Sequence, residues 1–359
     1  MKKIKRIIAL VLAFAMVFAM TACGSSSSDN GSDASSDAAA TDDAATATPS
    51  GERGETDANL DYQSCDLSGY NIGYVTINSS APWGGLVGTS FEQYAKEVGA
   101  NVNSLDAQTN ADQVTEYAQQ MIDAGVDALV IFGGDIEANA EIAKTAYDAG
   151  IPLFMAALDV AESGRDYVAA VVGPDQEQMT ADIAKYVVEQ NGEAENFRVV
   201  QINGVPFLED YIERCAGFQN YMADYSNYDL SAEPADCYSS RTDAKAAMEQ
   251  FLATYSNDVQ IVMGYDDDLT MGAVQAIDEA GLTGQIKVYS LTGQNDAIQA
   301  VADGKMDLTV INRAQDIGAG LVTAISEYLS TGSTTYYQRT PLTYVTPDNV
   351  SDYLNQGEF

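Results

Sequence analysis

The chain has 359 residues, a formal charge of −36 and no histidine. Acidity of that degree repels nucleic acid and anionic headgroups, and the missing imidazole removes Ser-His-Asp catalysis, Cys-His catalysis and histidine metal sites together. The cysteines at 23, 65, 215 and 237 lack the spacing of a zinc site, so no metal, no cofactor, no catalytic residue and no nucleic-acid partner is expected.

The basic start, Lys2, Lys3, Lys5 and Arg6, leads into an apolar run from Ile7 to Met20. A permanent span needs about 20 apolar residues, so residues 1–22 read as a secretory signal. Met20-Thr21-Ala22-Cys23-Gly24 resembles the bacterial lipobox, and that resemblance implies lipidation of Cys23, an extracytoplasmic location and anchoring in the cell membrane. Residues 23–66 are mostly Ser, Ala, Asp, Thr and Gly. Such a segment buries too little apolar surface to offset its ordering entropy, so it reads as a disordered acidic tether.

Beyond the tether one unit recurs: an apolar strand run, a loop, an amphipathic helix, then Gly. Helices are expected to stop at Gly99, Gly125, Gly150 and Gly281, because Gly takes the left-handed cap conformation without steric cost. Strands are expected at Ile72–Ile77, Ala128–Phe132, Pro152–Met155, Arg198–Ile202 and Val259–Met263. Their near-continuous apolarity suits parallel strands covered on both faces, hence an α/β fold. The series restarts near Phe197, which predicts two Rossmann-like lobes joined by several crossings. The first takes residues 67–173 plus 313–332 and the second takes 174–312 plus 333–359. Ligands of parallel sheets sit outside the carboxyl ends of the strands, so facing lobes make a cleft lined by post-strand loops.

The order of motifs resembles the type I periplasmic binding proteins, the ribose- and galactose-binding family. The resemblance is carried by Ala81-Pro82-Trp83 after the first strand, Asp106-Ala107-Gln108-Thr109-Asn110 after the second and Leu158-Asp159 after a later one. It continues through Arg214-Cys215-Ala216-Gly217-Phe218, Asp266-Asp267-Asp268 with Gly272-Ala273, and Asn312 with Asp316-Ile317-Gly318. It implies a monomeric, non-enzymatic binding protein that closes on a monosaccharide or similar polyhydroxy solute and delivers it to an ABC permease. The implied ligand-binding residues are Trp83, Asp159, Arg214, Asp266, Thr292 and Asn312. Trp83 would stack on a sugar face; Asp159 and Asp266 would accept from hydroxyls; Arg214 would donate a fork. Asp266 is expected to face the cleft while Asp267 or Asp268 caps the next helix. Trp83 and Arg214 are expected on an open, solvated face whose truncation spares the unliganded protein.

The chain departs from the family at Ala81, where many members carry Asn, at Val160, where ribose-like members carry Arg, and at Thr292, where they carry Asp. These losses point away from plain ribose, towards a larger or less hydroxylated ligand. Other readings keep the fold and make the ligand a signal or a nucleoside-like solute, or use Asp159 and Asp266 as a glycosidase pair. Gly84-Gly85-Leu86-Val87-Gly88 mimics a dinucleotide loop with the wrong glycine spacing. Cys215 and Cys237 are either a bridge between neighbouring βα units or two buried thiols.

Overall fold

The computed structural model describes residues 54–357 except 207 and 239. The signal, Cys23 and most of the tether lie outside the described residues. No helix among the described residues is long and apolar enough to cross a membrane.

The first lobe is built on strands β1 (Glu55–Asp57) and β2 (Asn71–Thr76), helix α1 (Pro82–Glu97), β3 (Asn101–Asp106) and α2 (Ala111–Asp123). It continues with β4 (Ala128–Phe132), α3 (Ile136–Asp148), β5 (Leu153–Ala156) and β6 (Val168–Gly173). The second lobe begins with α4 (Gln176–Asn191), β7 (Phe197–Asn203), α5 (Glu209–Met222), β8 (Tyr228–Asp229) and β9 (Ala235–Asp236). There follow α6 (Arg241–Thr254), β10 (Ile261–Gly264), α7 (Asp267–Glu279), β11 (Lys287–Tyr289), α8 (Asn295–Ala302) and β12 (Thr309–Asn312). The chain then returns through α9 (Ala314–Thr331) and β13 (Tyr337–Arg339) to the first lobe, and ends in β14 (Leu342–Val345) on the second.

The first sheet is parallel throughout, in the order β1-β13-β6-β5-β4-β2-β3. The second is parallel in the order β11-β10-β7-β8, with β9 also against β7, and β12 pairs antiparallel with β14 beside it. Parallel strands need crossover helices, and those helices bury both sheet faces. In the first lobe Phe91 of α1 and Leu321 of α9 cover one face, while Val114 and Met121 of α2 and Ala143 of α3 cover the other. The second lobe has its own core, with Val200, Val262 and Val288 of its strands at the centre.

Helix ends follow local chemistry. Gly99, Gly125, Gly150 and Gly281 all take positive φ where the helices stop. Asn110, Asp135, Asp175 and Asp266 each follow a strand and accept from backbone N–H groups at the start of the next helix. The glycines inside the motifs serve packing. A Cβ on Gly217 would strike Glu177 O of α4, one on Gly272 would strike Arg241 O of α6, and one on Gly318 would lie 2.7 Å from Phe91 N of α1. Each helix pair therefore crosses closely only because one member is Gly.

Two segments sit elsewhere than the sequence suggests. Residues 55–57 fall inside the expected tether, yet they pair with β13 as the edge strand of the first sheet. An open edge is satisfied by backbone groups alone, so polar Glu-Thr-Asp can fill it. Tyr62 then stacks on Tyr94 at 4.1 Å, and Leu67 is fully buried. The expectation for 333–359 also changes, because β13 lies beside β6 in the first sheet and only β14 belongs to the second lobe. The lobes are thus joined at 173–174, 312–313 and 340–341. Beside the last crossing Arg339 pairs with Glu55 and lies 3.5 Å from Asp175.

Candidate functional site

Five second-lobe strands end on one edge. The order β9-β7-β10-β11, together with the parallel bridge Thr292↔Ile311, sets Asp236, Asn203, Asp266, Thr292 and Asn312 along that edge. Each is polar; Asp236, Asn203 and Asn312 are the last residues of their strands, and Asp266 and Thr292 come two and three residues after theirs. In the first lobe Asp106 ends β3, Gly133 and Asp159 follow β4 and β5, and Trp83 lies in the first turn of the helix that follows β2. The edges face each other. Trp83 Nε1 donates to Asn312 O at 2.9 Å, and the Asp159 charge acts on Glu213 of α5.

Trp83 enters α1 directly after Pro82, in the first turn. It is half-buried, tilted 55° on Phe132 at 6.0 Å, and held by Asn312, so it links the lobes as well as offering a ring. The glycines after it explain the dinucleotide-like run as helix packing. A Cβ on Gly84 would lie 2.6 Å from Phe132, and one on Gly85 2.5 Å from Ser79 O.

Asp159 accepts from Tyr336 OH at 2.5 Å and from Val160 N at 2.7 Å, and pairs with Arg165 Nε at 2.8 Å. Both oxygens are therefore engaged. Arg165 lies six residues on in the same lobe and stands half exposed beside this carboxylate; Val160, by contrast, is buried.

Arg214 departs from the expected open position. Only 5% of it is exposed, with Nε donating to Gln176 at 2.8 Å, Nη1 to Tyr265 O at 3.1 Å and Nη2 3.5 Å from Asp210. Its guanidinium also lies over Tyr211 at 5.2 Å. A planar fork five donors wide can hold several acceptors at once, which is why it sits at this junction of helices.

Asp266 rather than Asp267 or Asp268 caps α7, accepting from Asp268 N at 2.8 Å. It keeps part of its surface open at the cleft, yet atoms crowd it closely enough that burial pushes its carboxyl up to about 6, against the pull of Arg214. Asp267 is instead fully buried, accepting from Thr309 Oγ1 at 2.8 Å and Gln294 N at 2.9 Å, and burial pushes it up to about 7. Thr292 is buried at φ 113°, its hydroxyl accepting from Asp267 N at 3.3 Å, so it supports the α7 start from behind. Asn312 is 1% exposed and its Oδ1 has no partner.

Three cleft residues lie outside the sequence-derived set. Asn203 gives its Nδ2 to Asp236 at 2.9 Å, and its buried Oδ1 is left without a partner. Its position as the last residue of an apolar strand run was a readable signal. Glu213 precedes Arg214 on α5; burial first, then Glu209, Asp175, Asp210 and Asp159, pushes its carboxyl up to about 7. Tyr336 reaches Asp159 from 177 residues away, which no local pattern reports.

The described cysteines are free, so Cys215 and Cys237 are not bridged. Cys215 faces Tyr265, while Cys237 Sγ donates to Ala235 O at 3.3 Å. Burial pushes both thiols up to about 11. Among the described residues no cluster of acidic and thiol side chains could hold a metal ion.

Two parallel α/β lobes, three crossings and an edge-to-edge polar cleft define a two-lobed binding protein. The chain belongs to the periplasmic binding protein domain family, whose model matches residues 72–333. It is 28% identical over 249 residues to the ribose import binding protein RbsB of Bacillus subtilis, covering 69% of this chain and 78% of that protein. It is 25% identical over 244 residues to the galactofuranose-binding protein YtfQ of Escherichia coli, covering 67% and 76%. Among solved structures, a galactofuranose binding protein superposes with a TM-score of 0.72 at 22% identity, over 80% of this chain and 98% of that one. The binding-protein component of the arabinose ABC transporter of Shewanella sp. ANA-3 superposes at 0.71 and 23% identity, over 80% and 95%.

Proposed function

We propose that this protein captures a monosaccharide or similar small polyhydroxy solute between its lobes and hands it, unaltered, to an ABC permease. The observation that carries the reading is the row of polar residues at the second lobe's strand ends, Asp236, Asn203, Asp266 and Asn312, with Thr292 bracing it from behind and Trp83 bonded to Asn312 from the other lobe. Hydroxyls need paired donors and acceptors in a site emptied of water, and a sugar's C–H faces need an aromatic or apolar wall. Trp83 and the exposed Tyr238 in the loop after β9 supply such surfaces. Asp159 and Asp266 orient the solute from the two lobes, while Arg214, held by Gln176, Tyr265 O and Asp210, braces the helices behind them. Closure is driven only by the ligand's better fit to the closed form. In this reading Cys23 carries the lipid that keeps the protein at the outer face of the cell membrane, and Cys23→Ser releases it to the medium or leaves it unprocessed.

Relatives named for ribose and galactofuranose support a sugar as the solute. The test is a thermal-shift and calorimetric screen of the detergent-purified full chain against pentoses, hexoses, polyols and nucleosides. A ligand raises the melting temperature by mass action, near one per protein, and is recovered unchanged. A hit confined to nucleosides, or a sugar that is hydrolysed, overturns the reading.

A further inference from the structure

Two side-chain oxygens at the cleft edge of the second lobe are left as hydrogen-bond acceptors without a donor. Asn203 Oδ1 and Asn312 Oδ1 are buried without a partner, at 5% and 1% exposure. Asn203 cannot simply turn round, because its Nδ2 is already spent on Asp236. Between these two strand ends stands the Asp266 carboxylate, on the strand adjacent to Asn203. The nearby donor of most capacity, Arg214, already serves Gln176, Tyr265 O and Asp210.

Charge points the same way. Glu213 and Asp159 come from opposite lobes, and each sits within the other's field. The cations around them are committed: Arg165 to Asp159, Arg214 to Asp210, and Arg339 to Glu55 with Asp175 nearby. Closing the lobes around a neutral solute leaves carboxylates facing one another in a site losing its water, where like charges repel most. An ammonium brings up to three donors and no acceptor, and it cancels that repulsion.

Resting on the reading of the cleft as a sugar site, we infer that its preferred solute carries a primary amine, as an amino sugar or aminocyclitol, placed between Asp266, Glu213 and Asp159. The hydroxyls of that solute meet Trp83, Asn203 and Asn312, and the amine takes the position where the two lobes present carboxylates. The raised carboxyls of Asp266 and Glu213 fit this assignment: burial outweighs the pull of Arg214 on the first, neighbouring carboxylates add to burial on the second, and a bound ammonium favours the ionised form of both.

The test is calorimetry on the detergent-purified full chain with matched pairs: D-glucosamine and D-glucose, D-galactosamine and D-galactose, an aminocyclitol and its inositol, each beside its N-acetyl form. In at least one pair the amine is expected to bind about tenfold or more tightly than both neutral partners, the gain of a hydrogen bond to a charged group. That binding is expected to release protons to the buffer and to weaken as salt rises. Glu213→Gln is expected to reduce the preference for the amine, and Asp159→Asn to do so independently, so that one unfolded variant does not end the test. Neutral sugars binding as tightly as their amines overturn this inference and leave the sugar-capture reading standing. No binding by any member of any pair overturns this inference too, and the sugar-capture reading falls with it only if the wider screen of pentoses, hexoses and polyols also finds no ligand.

Discussion

Trp83 Nε1 donates to the backbone oxygen of Asn312 at 2.9 Å, joining the first turn of α1 in one lobe to the last residue of β12 in the other. The tryptophan is thus a strut between lobes as well as one wall of the cleft. Trp83→Phe keeps a ring against Phe132 and loses the bond, which is worth about 1 kcal/mol net. Trp83→Ala loses the packing too and is expected to cost about 2 kcal/mol or more in the unliganded protein. Urea unfolding of both variants checks the order. An alanine variant as stable as the parent shows that the link carries no load. As Trp83 is the single indole of the chain, its emission is expected to change saturably with ligand.

Arg214 makes the second prediction. Because it is 5% exposed and holds Gln176 and Tyr265 O, Arg214→Ala leaves two buried acceptors unpaired. A cost of about 2–4 kcal/mol in the absence of ligand is expected, seen as a lower melting temperature. Arg214→Lys keeps charge and loses the fork, so it is expected to recover only part of that loss. An alanine variant that melts with the parent and fails only in binding restores Arg214 to an open, solvated position.

Much of the fold was legible because its determinants are local. The runs at Ala128–Phe132 and Val259–Met263 and the glycines at 99, 125, 150 and 281 report strands and helix ends within a few residues. The cleft was legible only as far as strand ends are. Asp159, Asp266, Thr292 and Asn312 lie at or just past such ends, and Trp83 in the first turn of the helix after one, yet their partners were hidden. Tyr336 on Asp159, Gln176 on Arg214 and Thr309 on Asp267 are contacts between distant segments. Which of three consecutive Asp residues caps α7 was also beyond reach, since Asp266 and Asp267 differ in backbone direction rather than in chemistry. The edge strand Glu55–Asp57 gave no signal, because it pairs through its backbone and buries nothing.

Stability is expected to fall as pH rises between about 4 and about 7. Burial pushes Asp267 and Glu213 up to about 7 and Asp266 up to about 6, from ordinary values of 3.8 for Asp and 4.5 for Glu. The folded protein therefore binds protons that the unfolded chain has released, and each extra proton favours folding. The contribution is complete below the unfolded values and is lost as pH passes the folded ones. The opposite sign holds for Asp278 and Glu279, held below the usual range by Lys305 and Lys245; their contribution is lost only in stronger acid. Asp267→Asn, uncharged at every pH, is expected to flatten the slope. Melting temperatures taken from about pH 5 to about pH 7.5 that rise with pH, or a variant as pH-dependent as the parent, contradict the assignment.

The last prediction concerns the edge strand. Ala58 N donates to Arg339 O at 2.7 Å and Tyr337 N to Gly54 O at 3.3 Å, and Glu55 pairs with Arg339. Arg339 stands one residue before Thr340, whose N–H donates to Gly173 O at 3.0 Å at another crossing. The strand at residues 55–57 is therefore fastened next to two of the three connections between lobes. Backbone bonds at a solvated edge open locally at little cost, so this fastening is expected to be among the weaker parts of the sheet. Hydrogen exchange on the full chain is expected to protect the amides of Ala58 and Tyr337 above free-peptide rates and below Val130 in the sheet centre. Deleting residues 55–57 is expected to cost about 1–2 kcal/mol, the net worth of a few such bonds, and to speed exchange at Tyr337 while leaving Val130 unchanged. If Ala58 exchanges at free-peptide rates in the intact chain, the segment is loose up to Tyr62 and the deletion is silent.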